Sequence, residues 1–125
     1  MEAPENIRFA ESHEWITVGG DTATVGISDH AQSELGEVVY VELPDVGKVV
    51  DAQDPVAVIE SVKAASDVYA PVAGEIVAVN ETVSEETGLI NSSPYEKGWL
   101  FKIKPSNKAD FDQLLDTAGY EEVIA

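Results

Sequence analysis

Lys63 is the residue whose side chain and setting most suggest chemistry, because a primary amine can carry a covalently attached group. Residues 56–59 and 68–69 are mainly β-formers, and the residues between them are mostly small or polar. This pattern predicts a β-hairpin with Lys63 near its tip. Val62 and Ala64 are apolar, however, where an ordinary turn would carry Asn, Gly or Asp. Two interpretations follow: Lys63 is a solubilising surface lysine, or it is presented on a rigid turn to a modifying enzyme.

The charge of the chain excludes one class of partner. There are 24 acidic and 7 basic residues, which gives a formal net charge of −17. Nucleic acid binding depends on basic patches, which so few cations spread along the chain cannot form. The acidity allows electrostatic steering toward basic surfaces of partner proteins, or it serves solubility alone.

The side chains available for catalysis are few. Cysteine is absent, so the chain has no disulfide, thiol nucleophile or thiolate ligand, and sulfur redox chemistry would require an attached group. The two histidines, His13 and His30, lack the spacing to carboxylates that is typical of a metal site, and we expect a surface or packing role for both. No Gly-x-Ser-x-Gly or phosphate-binding glycine pattern occurs. We therefore expect a protein that is not an autonomous enzyme and holds no metal.

Length and hydrophobicity predict one domain over residues 1–125. The chain has 125 residues, and its hydrophobic fraction of 44% suits a globular core. No apolar run reaches the roughly 18 residues that span a bilayer. The first six residues lack the features of a secretory signal or a transit peptide. We expect a monomer of the bacterial cytoplasm, or of the mitochondrial matrix if a presequence has been removed, with no membrane partner.

Short β-strands separated by glycine and proline dominate the predicted secondary structure. Besides the lysine hairpin, strands are expected at residues 14–18, 22–27, 37–43, 75–79 and 99–103. Helices are expected within 28–36, within 80–91, near 111–115 and over 120–124. The first helix is predicted to open with two N-cap formers, Ser28 and Asp29, and Asp29 and Gln32 have the spacing of a capping box. It is predicted to end at Gly36, and the second helix at Gly88. This order predicts a mainly β fold, a small sandwich or barrel with helices at its edges.

Several motifs follow one another from residue 7 to the tail. They are Ser-His-Glu-Trp at 12–15, Gly-Ile-Ser-Asp-His-Ala-Gln at 26–32, Leu-Gly-Glu at 35–37, Leu-Pro at 43–44, Glu-Ser-Val-Lys-Ala-Ala-Ser-Asp at 60–67, Asn-Ser-Ser-Pro-Tyr at 91–95 and Gly-Trp-Leu at 98–100. Together they resemble the H-protein family of the glycine cleavage system over nearly the whole chain. One departure is Glu96, where the family often has glycine; it falls in a loop and does not affect Lys63.

The resemblance implies a hybrid barrel-sandwich fold, as in lipoyl and biotinyl domains, with short flanking helices and a C-terminal helix. It implies that Lys63 carries lipoate as an amide, and that the chain is a carrier without turnover of its own. In this family the lipoyl group accepts the aminomethyl group of glycine from the P-protein, a pyridoxal-phosphate decarboxylase. It delivers that group to the T-protein, which passes the one-carbon unit to tetrahydrofolate, and the L-protein, a dihydrolipoamide dehydrogenase, reoxidises the dithiol with NAD⁺. Lipoyl-attaching enzymes are the remaining implied partners.

A further hypothesis concerns the protection of the aminomethyl group. This group loses its nitrogen readily, so a carrier gains by keeping it away from water. We expect Glu14, with Ser12 and Asp67 nearby, to form a cleft whose carboxylate holds the aminomethyl cation. The alternative is that Glu14 is a solvated strand residue.

The same residues bear on other functions. A lipoyl domain of a 2-oxoacid dehydrogenase acyltransferase shares the lysine hairpin, but it is normally shorter and joined to linkers and a catalytic domain. A biotin carrier tends to have methionines beside its lysine, whereas Lys63 lies between Val62 and Ala64. A lipoate-relay protein, which passes lipoyl groups to other enzymes, shares the motif and is poorly separated from a glycine shuttle by sequence. The ordered motifs disfavour an unmodified structural domain.

Overall fold

The computed structural model describes residues 6–125. Its elements are β1 (Ile7–Phe9), β2 (Glu14–Gly19), β3 (Thr22–Ile27), α1 (Asp29–Leu35), β4 (Val38–Glu42), β5 (Val49–Val50), β6 (Pro55–Ser61), β7 (Ala65–Tyr69), β8 (Gly74–Val79), α2 (Thr82–Glu85), α3 (Gly88–Ser92), β9 (Phe101–Pro105), a 3-10 helix (Lys108–Gln113) and α4 (Thr117–Ile124). Within this part of the chain, none of the helices has the length and hydrophobicity of a transmembrane segment.

The strands form two antiparallel sheets. The larger sheet has the order β1-β2-β3-β9-β8-β5, and the smaller has the order β4-β6-β7. The hairpin of β2 and β3 belongs to the larger sheet, and the hairpin of β6 and β7, which carries Lys63, belongs to the smaller. The sheets pack face to face with short helices at their edges. This is the barrel-sandwich architecture, and it confirms the predicted fold class.

One hydrophobic cluster joins the two sheets. Ile16, Val25 and Ile103 of the larger sheet and Ile59 of the smaller sheet are all fully buried in it. Burial of a side chain of this size contributes about 1.5–3 kcal/mol relative to its exposure. Ile59 lies in the strand that leads to Lys63, so this core holds the lysine hairpin against the larger sheet.

A second, smaller cluster fixes the C-terminal helix. Its buried members are Ile7, Phe9, Trp15 and Tyr120. The rings of Phe9 and Tyr120 stack with their centroids 4.2 Å apart. Helix α4 therefore packs on β1 and β2, close to the Ser-His-Glu-Trp motif.

Most predicted elements are confirmed, with shifts at their ends. Both predicted hairpins are present, and the last predicted strand begins at Phe101 rather than at residue 99. The helical spacing near residues 111–115 belongs to the 3-10 helix, and α4 begins at Thr117, before Gly119. Strand β1 was not predicted, because three residues give too short a pattern to read.

Two predicted details of the helices were wrong. Of the two N-cap formers, Ser28 caps α1, and its side chain accepts a hydrogen bond from Ala31 N at 3.1 Å. Gln32 does not complete a capping box, since its amide donates to the Asp29 side chain at 2.8 Å. Gly88 does not end a helix but begins α3, where the low helix propensity of glycine matters less than in a helix interior.

Gly26 is required by the packing of Trp15, its neighbour across the β2–β3 hairpin. A Cβ on Gly26 would lie 2.8 Å from atoms of the indole, which cannot withdraw freely because its Nε1 donates to Pro94 O at 2.9 Å. We expect Gly26→Ala to lower the free energy of unfolding by about 2–3 kcal/mol, as measured by chemical denaturation. Gly19→Ala is the control, because a Cβ there meets no atom within 4 Å. Equal effects of the two substitutions would contradict this account.

Candidate functional site

The lysine hairpin is closed by a serine rather than by glycine. Ser61 N donates to Ala64 O at 2.7 Å. Ser61 Oγ accepts from Lys63 N at 3.3 Å and from Ala64 N at 3.1 Å. Val62 and Lys63 keep negative φ angles, so the tip needs no glycine. The Ser61 side chain thus explains how apolar residues can occupy the turn, and it leaves Lys63 exposed.

The tip is anchored beside the end of α1. Val62 N donates to Glu37 O at 3.1 Å. A Cβ at Gly36 would lie 3.6 Å from Lys63 Cε, so the lysine stem runs past Gly36. Gly36 has a φ of 79°, in the left-handed region that favours glycine, and it ends α1 as predicted. Asn91 fixes this segment, because its Nδ2 donates to Gly36 O at 2.8 Å and its Oδ1 accepts from the first residue of β4 at 3.0 Å.

A cavity of about 200 Å³ opens between α1, the lysine hairpin and residues 12–14. Ser12, Glu14 and Asp67, the three residues of the sequence hypothesis, all line it. Leu35, the residue before Gly36, lines it too, so the cavity extends along α1 to the end that the lysine stem passes.

Glu14 is buried in the wall of this cavity, with 2% of its surface exposed. Ser12 Oγ donates to its Oε1, and Tyr69 N donates to its Oε2 at 3.1 Å. Burial raises the pKa of the Glu14 carboxyl above its ordinary value, and these hydrogen bonds offset part of the rise. A carboxylate in this setting is destabilised by the loss of water, so a cation that entered the cavity would stabilise it.

The raised pKa of Glu14 gives the stability of the protein a pH dependence. The folded chain holds this proton more tightly than the unfolded chain, so the stabilisation is complete below the unfolded pKa and is lost as pH rises through the folded pKa. Glu14→Gln removes the titrating group. The Tm of the wild type, relative to that of the variant, should therefore fall as pH rises from about 4 to about 7. Calorimetry on unmodified proteins tests this, with exposed Glu75→Gln as control; a wild-type Tm that rises relative to the variant would contradict it.

Asp67 lies on the edge strand β7, between two cavities. It lines the cavity that contains Glu14 and a second one of about 280 Å³ on the other side of the hairpin. The register pairs Asp67 with Val58 and Ser66 with buried Ile59, so the two adjacent side chains face opposite sides of the sheet. Ser66, which the sequence did not single out, is therefore on the cavity face.

The two histidines also meet in the cavity wall. His13 and His30 both line the cavity, with ring centroids 5.2 Å apart. Among the described residues no group of metal-ligating side chains is arranged to hold an ion. No sequence pattern predicts the contact between these two rings, because His13 precedes β2 and His30 lies in α1.

These features fit a carrier that bears its cofactor on a lysine. Lys63 is exposed, its stem passes the end of α1, and a cavity with a buried acid in its wall reaches that end through Leu35. A barrel-sandwich that presents a lysine at a hairpin tip defines the class of lipoyl and biotinyl carrier domains.

Comparison with known proteins identifies the family within this class. The family model described as Glycine cleavage H-protein matches residues 7–125. A glycine cleavage system H protein of Marinomonas sp. (strain MWYL1) is 57% identical over 123 residues, which cover 98% of this chain and 97% of that protein. One from Thermus thermophilus is 53% identical over 124 residues, or 99% and 97%. A crystal structure of such a protein from Mycobacterium marinum superposes with a TM-score of 0.85 at 34% identity, over 95% of this chain and 96% of that one. The chain belongs to the glycine cleavage H-protein family.

Proposed function

We propose that this chain is the lipoyl-carrying shuttle of the glycine cleavage system, with lipoate in amide linkage to Lys63. The observation that carries the proposal is the exposed lysine at a hairpin tip, whose stem passes Gly36 at the end of α1. When attached, lipoate supplies the sulfur chemistry that this cysteine-free chain lacks, by accepting the aminomethyl group of glycine. Membership of the family supports this assignment.

The residues of the chain hold and shield this cargo, and residues 1–125 act as one carrier domain without turnover of its own. Glu14 holds the aminomethyl cation, with Ser12 and Asp67 beside it, and the cavity limits access of water. The exposed tip lets the Lys63 side chain enter the active site of a partner while the barrel stays outside. Tethering then gives effective concentrations of order millimolar.

The partners are the P-protein, the T-protein, the L-protein and the lipoyl-attaching enzymes. A shuttle must release each partner, so its interfaces are small and transient. The net charge of −17 favours encounter with basic protein surfaces and disfavours nucleic acid. The relatives named above are bacterial, in keeping with action in a bacterial cytoplasm. The proposed acting form is a monomer.

The buried acid favours a glycine shuttle over a lipoate relay. A relay protein passes on the neutral lipoyl group and has no cationic cargo to shield. Glu14 is 2% exposed, a costly position for a carboxylate that no cation ever meets. A cationic cargo gives this burial a use that a neutral lipoyl cargo does not.

Mass spectrometry of protein purified from its native source tests the proposal. We expect one lipoyl increment on the intact chain, mapped to the peptide that contains Lys63. An unmodified mass in lipoate-replete cells would overturn the carrier function. Incubation with P-protein and labelled glycine then separates the alternatives: label on the lipoylated chain supports the shuttle, whereas transfer of lipoate to other enzymes without labelling supports the relay.

A further inference from the structure

A chain of hydrogen bonds connects the C-terminal helix to the cavity wall. Tyr120 Oη lies 2.6 Å from Ser28 Oγ and 2.7 Å from His13 Nδ1. Ser28 Oγ also accepts from Ala31 N at 3.1 Å, at the start of α1. Ser28 and Tyr120 are buried, with 0% and 3% of their surfaces exposed, so most of these hydrogen bonds are shielded from water.

One arrangement of the hydroxyl hydrogens satisfies both donors. Ser28 donates to Tyr120 Oη, and Tyr120 donates to His13 Nδ1, which is then the unprotonated nitrogen of a neutral imidazole. In an imidazolium Nδ1 would donate, and Tyr120 would have to donate to Ser28 instead. The buried Ser28 hydrogen would then lose the acceptor that it has in the neutral arrangement, at a cost. These hydrogen bonds therefore favour the neutral form of His13, with its hydrogen on Nε2.

Burial and the groups around His13 together lower its pKa. Burial lowers the pKa of His13, the nearby His30 lowers it further, and Glu34 raises it. His30 Nε2 lies 4.0 Å from Glu34 Oε1, one turn along α1. Two further carboxyls line the same cavity, Glu14 from the N-terminal hairpin and Asp67 from the rim at β7.

The backbone and the aromatic cluster fix both ends of the connection. His13 has a φ of 80°, and its carbonyl accepts from Ser28 N at 2.9 Å, so the ring is held in the cavity wall. The Tyr120 ring stacks on Phe9 at 4.2 Å, which places its hydroxyl independently of His13.

We propose that His13 is a positioning residue, held by Tyr120 and Ser28 as a neutral imidazole next to Glu14, so that a cationic cargo meets the carboxylate without a competing cation. A protonated His13 would place a positive charge in the same wall and weaken retention of the cargo. Through Tyr120, the C-terminal helix thereby keeps His13 from adding a positive charge to the cavity wall. The role toward the cargo rests on the proposed function, whereas the hydrogen-bonded chain does not.

NMR titration of the unmodified protein tests the hydrogen-bonded chain. Tyr120→Phe removes the hydroxyl and keeps the ring on Phe9. We expect the titration midpoint of His13 to rise by about 0.5–1 pH unit in this variant. Tyr40→Phe, which removes an exposed hydroxyl on β4, is the control and should leave the midpoint unchanged. An unchanged midpoint in Tyr120→Phe would overturn the proposal.

His13→Asn tests the role toward the cargo. Asparagine tolerates a positive φ and cannot become a cation at these pH values. The measured quantity is the rate of ammonia release from the loaded variant divided by the wild-type rate. We expect this ratio to fall about threefold between about pH 7.5 and about pH 5.5, as the wild-type histidine becomes charged. A ratio independent of pH would overturn the role in retention. Equal release from wild type and Glu14→Ala would instead overturn the cavity function, while the titration result would stand.

Discussion

Lys63→Arg is expected to abolish lipoylation completely and to leave the fold unchanged. Amide formation requires an amine that can lose a proton and attack, whereas a guanidinium stays protonated below a pKa of about 12. The hairpin does not depend on the lysine side chain, because Ser61 closes the tip through its own hydroxyl and the backbone of Ala64. Glycine-dependent turnover of the reconstituted system should be lost along with the modification.

Intact mass after incubation with a lipoate-attaching enzyme measures this prediction. The wild type should gain one lipoyl increment, and its formal net charge should change from −17 to −18 as the lysine charge is removed. Lys48→Arg, at another exposed lysine in a turn, is the matched control and should be modified like the wild type. The Tm of Lys63→Arg should equal that of unmodified wild type. Lipoylation of Lys63→Arg would overturn the assignment of the carrier lysine.

Local patterns sufficed to predict the strands that bury one face and end in clear turns. The β2–β3 hairpin has glycine in its turn, and the lysine hairpin has β-formers on both sides. The device that holds the lysine tip was not predictable in this way. Ser61 acts through three short-range hydrogen bonds, and a serine next to a turn has too many other possible roles to be singled out.

The burial of Glu14 conflicts with the ordinary pattern of a strand. An acidic residue at the start of β2 would normally face water, with one face of the strand buried. Here Glu14, Trp15 and Ile16 are buried in succession. Ile16 faces the core between the sheets, and Trp15 faces the cluster under the C-terminal helix, so this end of β2 is covered on both faces. Only the packing of distant elements reveals this arrangement.

The cavity likewise depends on contacts that no spacing encodes. Its walls come from residues 12–14, from α1 and from β7, which are separated in sequence by helices and strands. A hypothesis from the sequence named the residues that hold a cation, but no spacing predicts the hydrogen bond between His13 and Tyr120, which spans 107 positions. The motif Ser-His-Glu-Trp therefore indicated the family, but the contacts of its residues could be learned only from the structure.

Glu14→Ala is expected to accelerate ammonia release from the loaded protein about tenfold to a hundredfold. The buried carboxylate accepts from Ser12 and from Tyr69 N, which orient it toward the cavity. A charge-assisted hydrogen bond to the cargo is worth about 1.5–3 kcal/mol, and its loss frees the cargo to meet water. Ammonia is followed over time in protein loaded by the P-protein and then separated from it, with Glu75→Ala, at an exposed carboxyl on β8, as the control.

Glu14→Gln separates the charge of this residue from its shape. Glutamine keeps the volume and one acceptor oxygen but cannot pair with a cation as an ion, so it should release ammonia nearly as fast as Glu14→Ala if charge is the cause. Because burial raises the pKa of Glu14 in the empty protein, entry of a cation should favour the ionised carboxyl and lower that pKa. An unchanged rate in Glu14→Ala would leave Glu14 as a structural carboxyl and sink the cavity hypothesis, whatever the outcome at Lys63.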